Sequence, residues 1–436
     1  MVTPQLIEGL GPSVWRRLTT GALWNSSGVA IWRGLTLLTF ILVARGLGGD
    51  GFGEFGLIHT TFSTSVGLAS FGLGLTATRF VAQHQHHDPA RTRAIVNFLR
   101  RVAAVGGLAG GFVLITVAGV IATQFFQMPQ LAPLLRIAGL GVPFFAAEGA
   151  ELGALAGLEA FKDRSLLFIV KGIWGIPLIV GGAFAGNVQG AVVGLVASSA
   201  IGWFLSYRVA SRRLDRLDPA RHGTGLSLDW GVLWRFSLPA VLAGAMVGPV
   251  NWLALAMLAR ESQSAFELGI YTAANQWFVA LMFLPGVIGQ AILPVMTEQH
   301  RGAEMGATAG IYRAAFLANG LLVIPVAISV AIGSPAIMRL YGEGFEVGWP
   351  VLACSVMAAA LLAIQSPVGS LLAVAGRMWL GFLINTGWAL AFLLGAWWLS
   401  PRGAIGLAFA RTVAYGLHLG WSLAMGYVVV KSGVTR

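Results

Sequence analysis

Runs of roughly twenty apolar residues recur along this chain from end to end, and that recurrence decides what it can fold into. They fall near 21–46, 53–80, 102–124, 132–158, 165–184, 188–208, 231–259, 266–295, 310–332, 349–374, 378–399 and 403–430. A helix of about 20 residues is long enough to cross a ~30 Å hydrocarbon layer. Of the 436 residues, 56% are hydrophobic and 10% charged, against about 25% charged in ordinary soluble domains. A soluble core of this length cannot enclose that much apolar surface, so much of it must face lipid. In lipid every backbone polar group has to bond within the structure, which leaves a helical bundle or a closed barrel. The runs are continuous rather than alternating with period two, and a barrel is excluded. The expected fold is an all-α polytopic membrane protein of about 12 transmembrane helices.

The longest hydrophilic connection, Arg208 to Asp229, lies near the midpoint and carries Arg212, Arg213, Asp215, Arg216, Asp218 and Arg221. It divides the chain into a lobe at 1–208, a cytoplasmic linker at 209–229 and a lobe at 230–436, with six spans on either side. Basic residues collect on alternate loops. One side holds Arg16, Arg17, Arg91, Arg93, Arg100, Arg101, Lys162, Arg164, the linker arginines, Arg301, Arg377, Lys431 and Arg436; the other keeps Arg45, Arg260, Arg339 and Arg402. The positive-inside rule makes the first side cytoplasmic, with both termini inside.

The halves also repeat one another. Glu54-Phe55-Gly56-Leu57 matches Glu267-Leu268-Gly269-Ile270, and Leu23-Trp24, Gln83-His84 and Lys171-Gly172-Ile173-Trp174 match Leu233-Trp234, Gln299-His300 and Asn385-Thr386-Gly387-Trp388 in the same order. Each half has an even number of spans, so the copies are parallel and related by an axis along the membrane normal. Such pairs enclose a central cavity that opens alternately to either side.

The net charge of +11 raises a nucleic-acid reading. Basic residues scattered through short loops of a membrane protein account for it, and no nucleic-acid partner is expected. Cys354 is the only cysteine, so there is no disulfide framework and no thiolate metal site. Residues 1–20 hold no apolar core with a small-residue cleavage site, and no cleaved signal peptide is expected. No Walker loop, HExxH or GxSxG occurs, so neither enzyme chemistry nor a cofactor is called for.

Leu35–Gly48, leading into Phe52-Gly53-Glu54-Phe55-Gly56, resembles the first-helix region of the polysaccharide-transporter branch of the multidrug/oligosaccharidyl-lipid/polysaccharide exporter superfamily. Leu258-Ala259-Arg260 through Tyr271, Phe283-Leu284-Pro285-Gly286, Leu293-Pro294 and Tyr341-Gly342-Glu343-Gly344-Phe345 are similar too. The resemblance implies two six-helix lobes around a central cavity, working by rocker-switch alternating access. It also implies an undecaprenyl-pyrophosphate-linked oligosaccharide as cargo, a glycosyltransferase and a polymerase as pathway partners, surrounding membrane lipids and a monomer. A cation-coupled multidrug exporter of the same superfamily is the alternative. Those exporters generally place acidic residues in the first lobe, whereas the first span here offers Arg33 and no acid.

Charged side chains at membrane depth are costly and by default face water or a partner. Arg33 lies about 12 residues and so about 18 Å into the first span. It either meets the diphosphate of the cargo or forms a structural ion pair with a carboxylate on a neighbouring helix, and Lys171 on the fifth span faces the same choice. Arg79 sits near the cytoplasmic end of the second span, where snorkelling to the headgroups is the simpler reading. Arg136 and Arg411 lie towards the outer side and either meet cargo or snorkel. Glu148 and Glu151 share one helix face and either neutralise Arg33 and Lys171 or carry a coupling ion or proton.

Asn25, Asn251, Asn275, Gln276, Gln290, Gln365 and Asn385 add amides that bond across helices or to sugar hydroxyls. Trp15, Trp230, Trp234, Trp397 and Trp398 read as interfacial anchors, and Trp24, Trp174, Trp252, Trp277 and Trp388 as deeper candidates for sugar stacking. His84-Gln85-His86-His87-Asp88 has metal-site composition on a cytoplasmic loop, where a solvated loop is the expectation and no metal is called. Arg91–Arg101 reads as a short amphipathic helix on the anionic leaflet.

Overall fold

The computed structural model describes residues 12–70, 72–218, 246–262, 264–289, 305–375 and 377–434, and among them there is no strand. The helices are α1 Pro12–Ala69, α2 Leu73–His84, α3 Pro89–Val120, α4 Ala132–Gly157, α5 Phe161–Gly175 and α6 Gly181–Leu217. The second half supplies α7 Val247–Glu261, α8 Phe266–Leu281, α9 Met305–Arg339, α10 Trp349–Val374, α11 Met378–Leu399 and α12 Gly403–Val434. Eight helical runs among the described residues are long and apolar enough to cross a membrane. Three of them, Leu23–Ala69, Phe161–Leu217 and Trp379–Lys431, are pairs of spans joined at a break. With α7 added, the helices account for the twelve spans read from the hydropathy.

The breaks have local causes. Spans one and two meet inside α1 at Gly48 (φ 69°, ψ 178°), a conformation that only a residue without Cβ adopts at little cost. Spans five and six meet inside α6 at Gly186 and Asn187, the latter at φ 53°. The equivalent join of the second half is a tight turn ending at Gly403, φ 72°. There the Ala404 amide donates to Glu267 Oε2 at 2.7 Å, so a carboxylate sits on the positive end of α12.

Two expectations about the polar segments change. Residues Arg91 to Arg101 are not a separate helix lying on the membrane surface. They are the first turns of α3, opened by Pro89 and by Asp88, whose carboxylate accepts from the Arg91 amide at 2.9 Å. Arg93 bonds Asp215 and Asp218 at 3.0 Å each, and Arg100 turns inward to Glu151. Carboxylates on α4 and at the end of α6, of which Glu151 and Asp218 are buried, outcompete the lipid surface for these guanidiniums. The start of the expected linker is also helical, since α6 continues to Leu217; the remainder, from Pro219, lies outside the described residues.

The halves meet along the second and eighth spans. A Cβ on Gly53 would strike the Ala265 carbonyl, one on Gly56 the Thr272 side chain, and one on Gly269 the Gly49 carbonyl. Backbones approach this closely only where side chains are absent. Beside this seam Phe52, Tyr341, Phe345 and Phe266 pack ring against ring, with Phe52–Tyr341 and Phe52–Phe345 centroids 6.0 Å apart. The bundle is therefore sealed at the Gly48 end. Overpacking of a close helix contact costs about 1–3 kcal/mol. Gly53→Leu should accordingly lower the melting temperature of the detergent-solubilised protein by several degrees. Gly34→Leu, at a glycine with nothing within 4 Å of its Cβ position, should leave it unchanged.

Candidate functional site

A cavity of about 720 Å³ lies beneath that seal, between the two halves. Span one contributes Trp32, Arg33, Thr36 and Thr39, and span two contributes His59, Thr60, Ser63 and Thr64. Lys171 comes from α5 and Ser198 and Ser199 from α6. The opposite wall is Asn251 of α7 with Tyr271, Thr272, Asn275 and Gln276 of α8. Its lining among the described residues includes two basic side chains and no aspartate or glutamate.

The two cations are held differently. Lys171 Nζ donates to Glu148 Oε2 at 2.5 Å and lies 4.1 Å from the Phe145 ring centroid. Glu148 is 4% exposed, so the pair is shielded and its charges largely cancel. The Arg33 guanidinium lies 4.8 Å from the Trp32 ring centroid, and its buried Nε has no hydrogen-bond partner. Among the described residues it makes no ion pair, and the second carboxylate of α4 is engaged elsewhere. Glu151 accepts from Arg100 through both oxygens, at 2.7 and 2.8 Å, and Arg100 also reaches Ser211 Oγ at 3.1 Å. The expected network of Arg33 and Lys171 with Glu148 and Glu151 is thus half-formed: Arg100, not Arg33, is the second cation. Arg33 brings the uncompensated positive charge to the cavity.

The remaining predicted residues divide. Asn251 and Asn275 line the cavity; Asn251 Nδ2 donates to the Val247 carbonyl at 2.8 Å, and Asn275 Oδ1 accepts from Arg411 at 2.8 Å. Arg411 is 1% exposed and stands behind the wall, its Cζ 4.2 Å from the Phe278 ring centroid. It neither touches the cavity nor snorkels. Arg79 and Arg136 are exposed on α2 and α4 and lie off the cavity lining, so neither is a cavity cation. Asn25 accepts from Arg164 at 2.7 Å, and Gln365 faces His418 at 2.5 Å, both away from the cavity. Asn385 is half-buried on α11 and off the lining, and Gln290 lies outside the described residues.

None of the five deep tryptophans lines the cavity. Trp24 and Trp174 are exposed, Trp252 and Trp277 donate to Thr61 at 2.9 Å and Tyr341 at 3.2 Å, and Trp388 is buried. Trp32, next to Arg33 in the sequence, is the tryptophan at the site. The hydroxyls of the second span were missed as well. The run His59-Thr60-Thr61-Phe62-Ser63-Thr64-Ser65 is dense in polar side chains inside an otherwise apolar span, and that density was the available signal.

The Lys171–Glu148 pair makes a direct prediction. Removing one partner of a shielded pair leaves an uncompensated charge, at a cost of about 3–5 kcal/mol. Glu148→Gln should cut the yield of monodisperse protein on size exclusion several-fold, and Glu148→Gln with Lys171→Met should recover most of it.

A family model described as polysaccharide biosynthesis protein matches residues 18–300. The EPS I polysaccharide export inner membrane protein EpsE of Ralstonia nicotianae is 27% identical over 412 residues, covering 88% of this chain and 87% of that protein. The lipid III flippase of Escherichia coli K12 is 23% identical over 286 residues, covering 64% of this chain and 67% of its own length. Among solved structures, the inward-facing conformation of a multidrug resistance MATE family transporter of the MOP superfamily superimposes with a TM-score of 0.76 at 14% identity. That match covers 91% of this chain and 95% of the other. This chain belongs to the polysaccharide biosynthesis protein family of membrane transporters.

Proposed function

We propose that this protein is a flippase that carries an undecaprenyl-pyrophosphate-linked oligosaccharide across the bacterial inner membrane by alternating access. The observation that carries the reading is the charge of the cavity. Arg33 stands there without a counter-ion, in a lining among the described residues that includes no carboxylate. A guanidinium at that depth grips a diphosphate through parallel charge-assisted hydrogen bonds. The amides of Asn251, Asn275 and Gln276 across the cavity suit sugar hydroxyls. The multidrug-exporter reading needs an acidic cavity for cationic cargo, and Glu148 is spent on Lys171. The likeness to the MATE transporter is one of fold.

The lobes on this reading are 1–208 and 230–436 about the 209–229 connection, with both termini cytoplasmic and the protein acting as a monomer. Glycosyltransferases upstream and a polymerase downstream would be its pathway partners. No nucleotide-binding motif occurs in the sequence. The driving force is then the membrane potential, an ion gradient or the gradient of the cargo itself.

Arg33→Ala should abolish export of the glycan in a deletion strain while leaving the amount of folded protein in the membrane unchanged. The lipid-linked intermediate should then accumulate on the cytoplasmic leaflet. Normal export by this variant sinks the proposal. Arg33→Lys should retain part of the activity if Coulomb attraction dominates and little if bidentate geometry does. Orientation is tested separately: an alkaline phosphatase fusion after Leu217 should be inactive, and one after Arg402 active.

A further inference from the structure

Spans one and five run side by side in the same direction. A Cβ on Gly28 would strike Ser165, and one on Gly172 would strike Leu35, seven residues further along both helices. Between these contacts Trp32 stacks on Phe168, with centroids 5.4 Å apart and planes 20° apart. On α5 the cavity-lining positions are Lys171, Gly172 and Gly175. Counting back through Phe168, the same helical stripe reaches Arg164. On α1 the stripe of Trp32, Thr36 and Thr39 continues back to Asn25. The two meet: Arg164 Nη1 donates to Asn25 Oδ1 at 2.7 Å.

Arg164 has the same unusual character as Arg33. Among the described residues it makes no ion pair, its buried Nε has no hydrogen-bond partner, and its Cζ lies 5.2 Å from the Phe168 ring centroid. The adjacent Ser165 Oγ is also buried without a partner. The nearby carboxylate in sequence, Asp163, is engaged by Arg213 on α6. A half-buried guanidinium held by a neutral amide keeps its full charge and unused N–H capacity, which an anion would satisfy.

We propose that Arg164, with Asn25 positioning it, forms a second anion-binding station at the cytoplasmic end of the contact between spans one and five. On the flippase reading, on which this inference rests, its ligand is the diphosphate headgroup of the polyprenyl-linked cargo. By the register of the Gly28–Ser165 and Leu35–Gly172 contacts, Arg33 lies about six residues, or about 9 Å of helix rise, further along than Arg164. The two stations stand in line along the helices, Arg164 off the cavity lining and Arg33 on it, so that Arg164 receives the headgroup at the membrane face and Arg33 takes it over in the cavity.

The test uses the full-length protein in zwitterionic nanodiscs and measures the affinity of undecaprenyl diphosphate without sugar. Arg164→Gln should weaken binding about tenfold, the worth of one charge-assisted hydrogen bond, and Arg164→Lys should restore most of it. Asn25→Asp separates binding from a structural role. It places a carboxylate on the guanidinium without changing shape, so the station predicts a loss of affinity like that of Arg164→Gln with unchanged or raised thermal stability. Unchanged affinity in Asn25→Asp overturns the station.

Inorganic pyrophosphate and anionic-lipid nanodiscs are the competing arms. Should bulk phosphatidylglycerol account for the whole effect of Arg164→Gln, with diphosphate affinity untouched, the site is a lipid anchor and the proposal fails. Binding lost in Arg33→Gln but not in Arg164→Gln overturns this inference alone. Absence of diphosphate-lipid binding in the unaltered protein overturns the flippase reading with it.

Discussion

The close approach of the second and eighth spans is the contact on which the rest of this architecture depends. Gly49, Gly53 and Gly56 face Phe266, Ala265 and Thr272 with no room for a Cβ at any of the three. Two of the close-packed glycines, Gly56 and Gly269, fall in the repeated segments Glu54–Leu57 and Glu267–Ile270. In lipid no hydrophobic force pulls helices together, so packing of small residues has to supply the adhesion. A seam built this way is strong over a short length and leaves the helices free to diverge beyond it. Divergence below the seam creates the cavity.

What the cavity can hold is set by how the bundle allocates its few carboxylates. Helix α4 places Glu148 and Glu151 on one face, a turn apart, where each meets a different cation. Both pairs lie within the first half and brace α4 against its neighbours α3 and α5. The consequence is indirect: with both acids engaged, nothing on α4 remains to neutralise Arg33. A charge with no protein partner is tolerated at membrane depth only where water or a ligand can reach it. Structural ion pairs thereby define the site by exclusion.

The outline of this arrangement was legible in the sequence because it rests on long-range averages. Twelve apolar runs, the arginine bias of alternate loops and the collinear repeat each sum over many residues, so local errors cancel. Arg33 was legible for a different reason: helical rise alone fixes its depth. Partner choice was not legible. Arg100 read as a surface residue because its neighbours Arg91, Arg93 and Arg101 are basic, and only the packing of α3 on α4 shows that one of the four aims at Glu151. The hydroxyl-rich stretch of span two escaped notice because serine and threonine in helices often bond their own preceding turn. Thr61 and Ser65 do so, at 2.7 and 2.9 Å, and such residues read as ordinary packing until a cavity is seen beside them.

The distribution of polar groups across the cavity is uneven in a way that bears on transport. Basic side chains come from the first half, at Arg33 and Lys171, whereas the second half offers the amides of Asn251, Asn275 and Gln276. Among the described residues, the deep cation of the second half, Arg411, is walled off behind Asn275 and between aromatic rings. A cargo with a charged and a neutral end would be oriented by that asymmetry, with its anion on the first half and its neutral part against the second. When the halves rock about the seam, the two ends of such a cargo move with different bodies. The contact that must weaken for release is then the guanidinium–anion contact on one lobe. A single uncompensated arginine in the cavity suits the flippase role proposed above: it would hold a diphosphate firmly while the site is dry and release it once water enters and screens the charge.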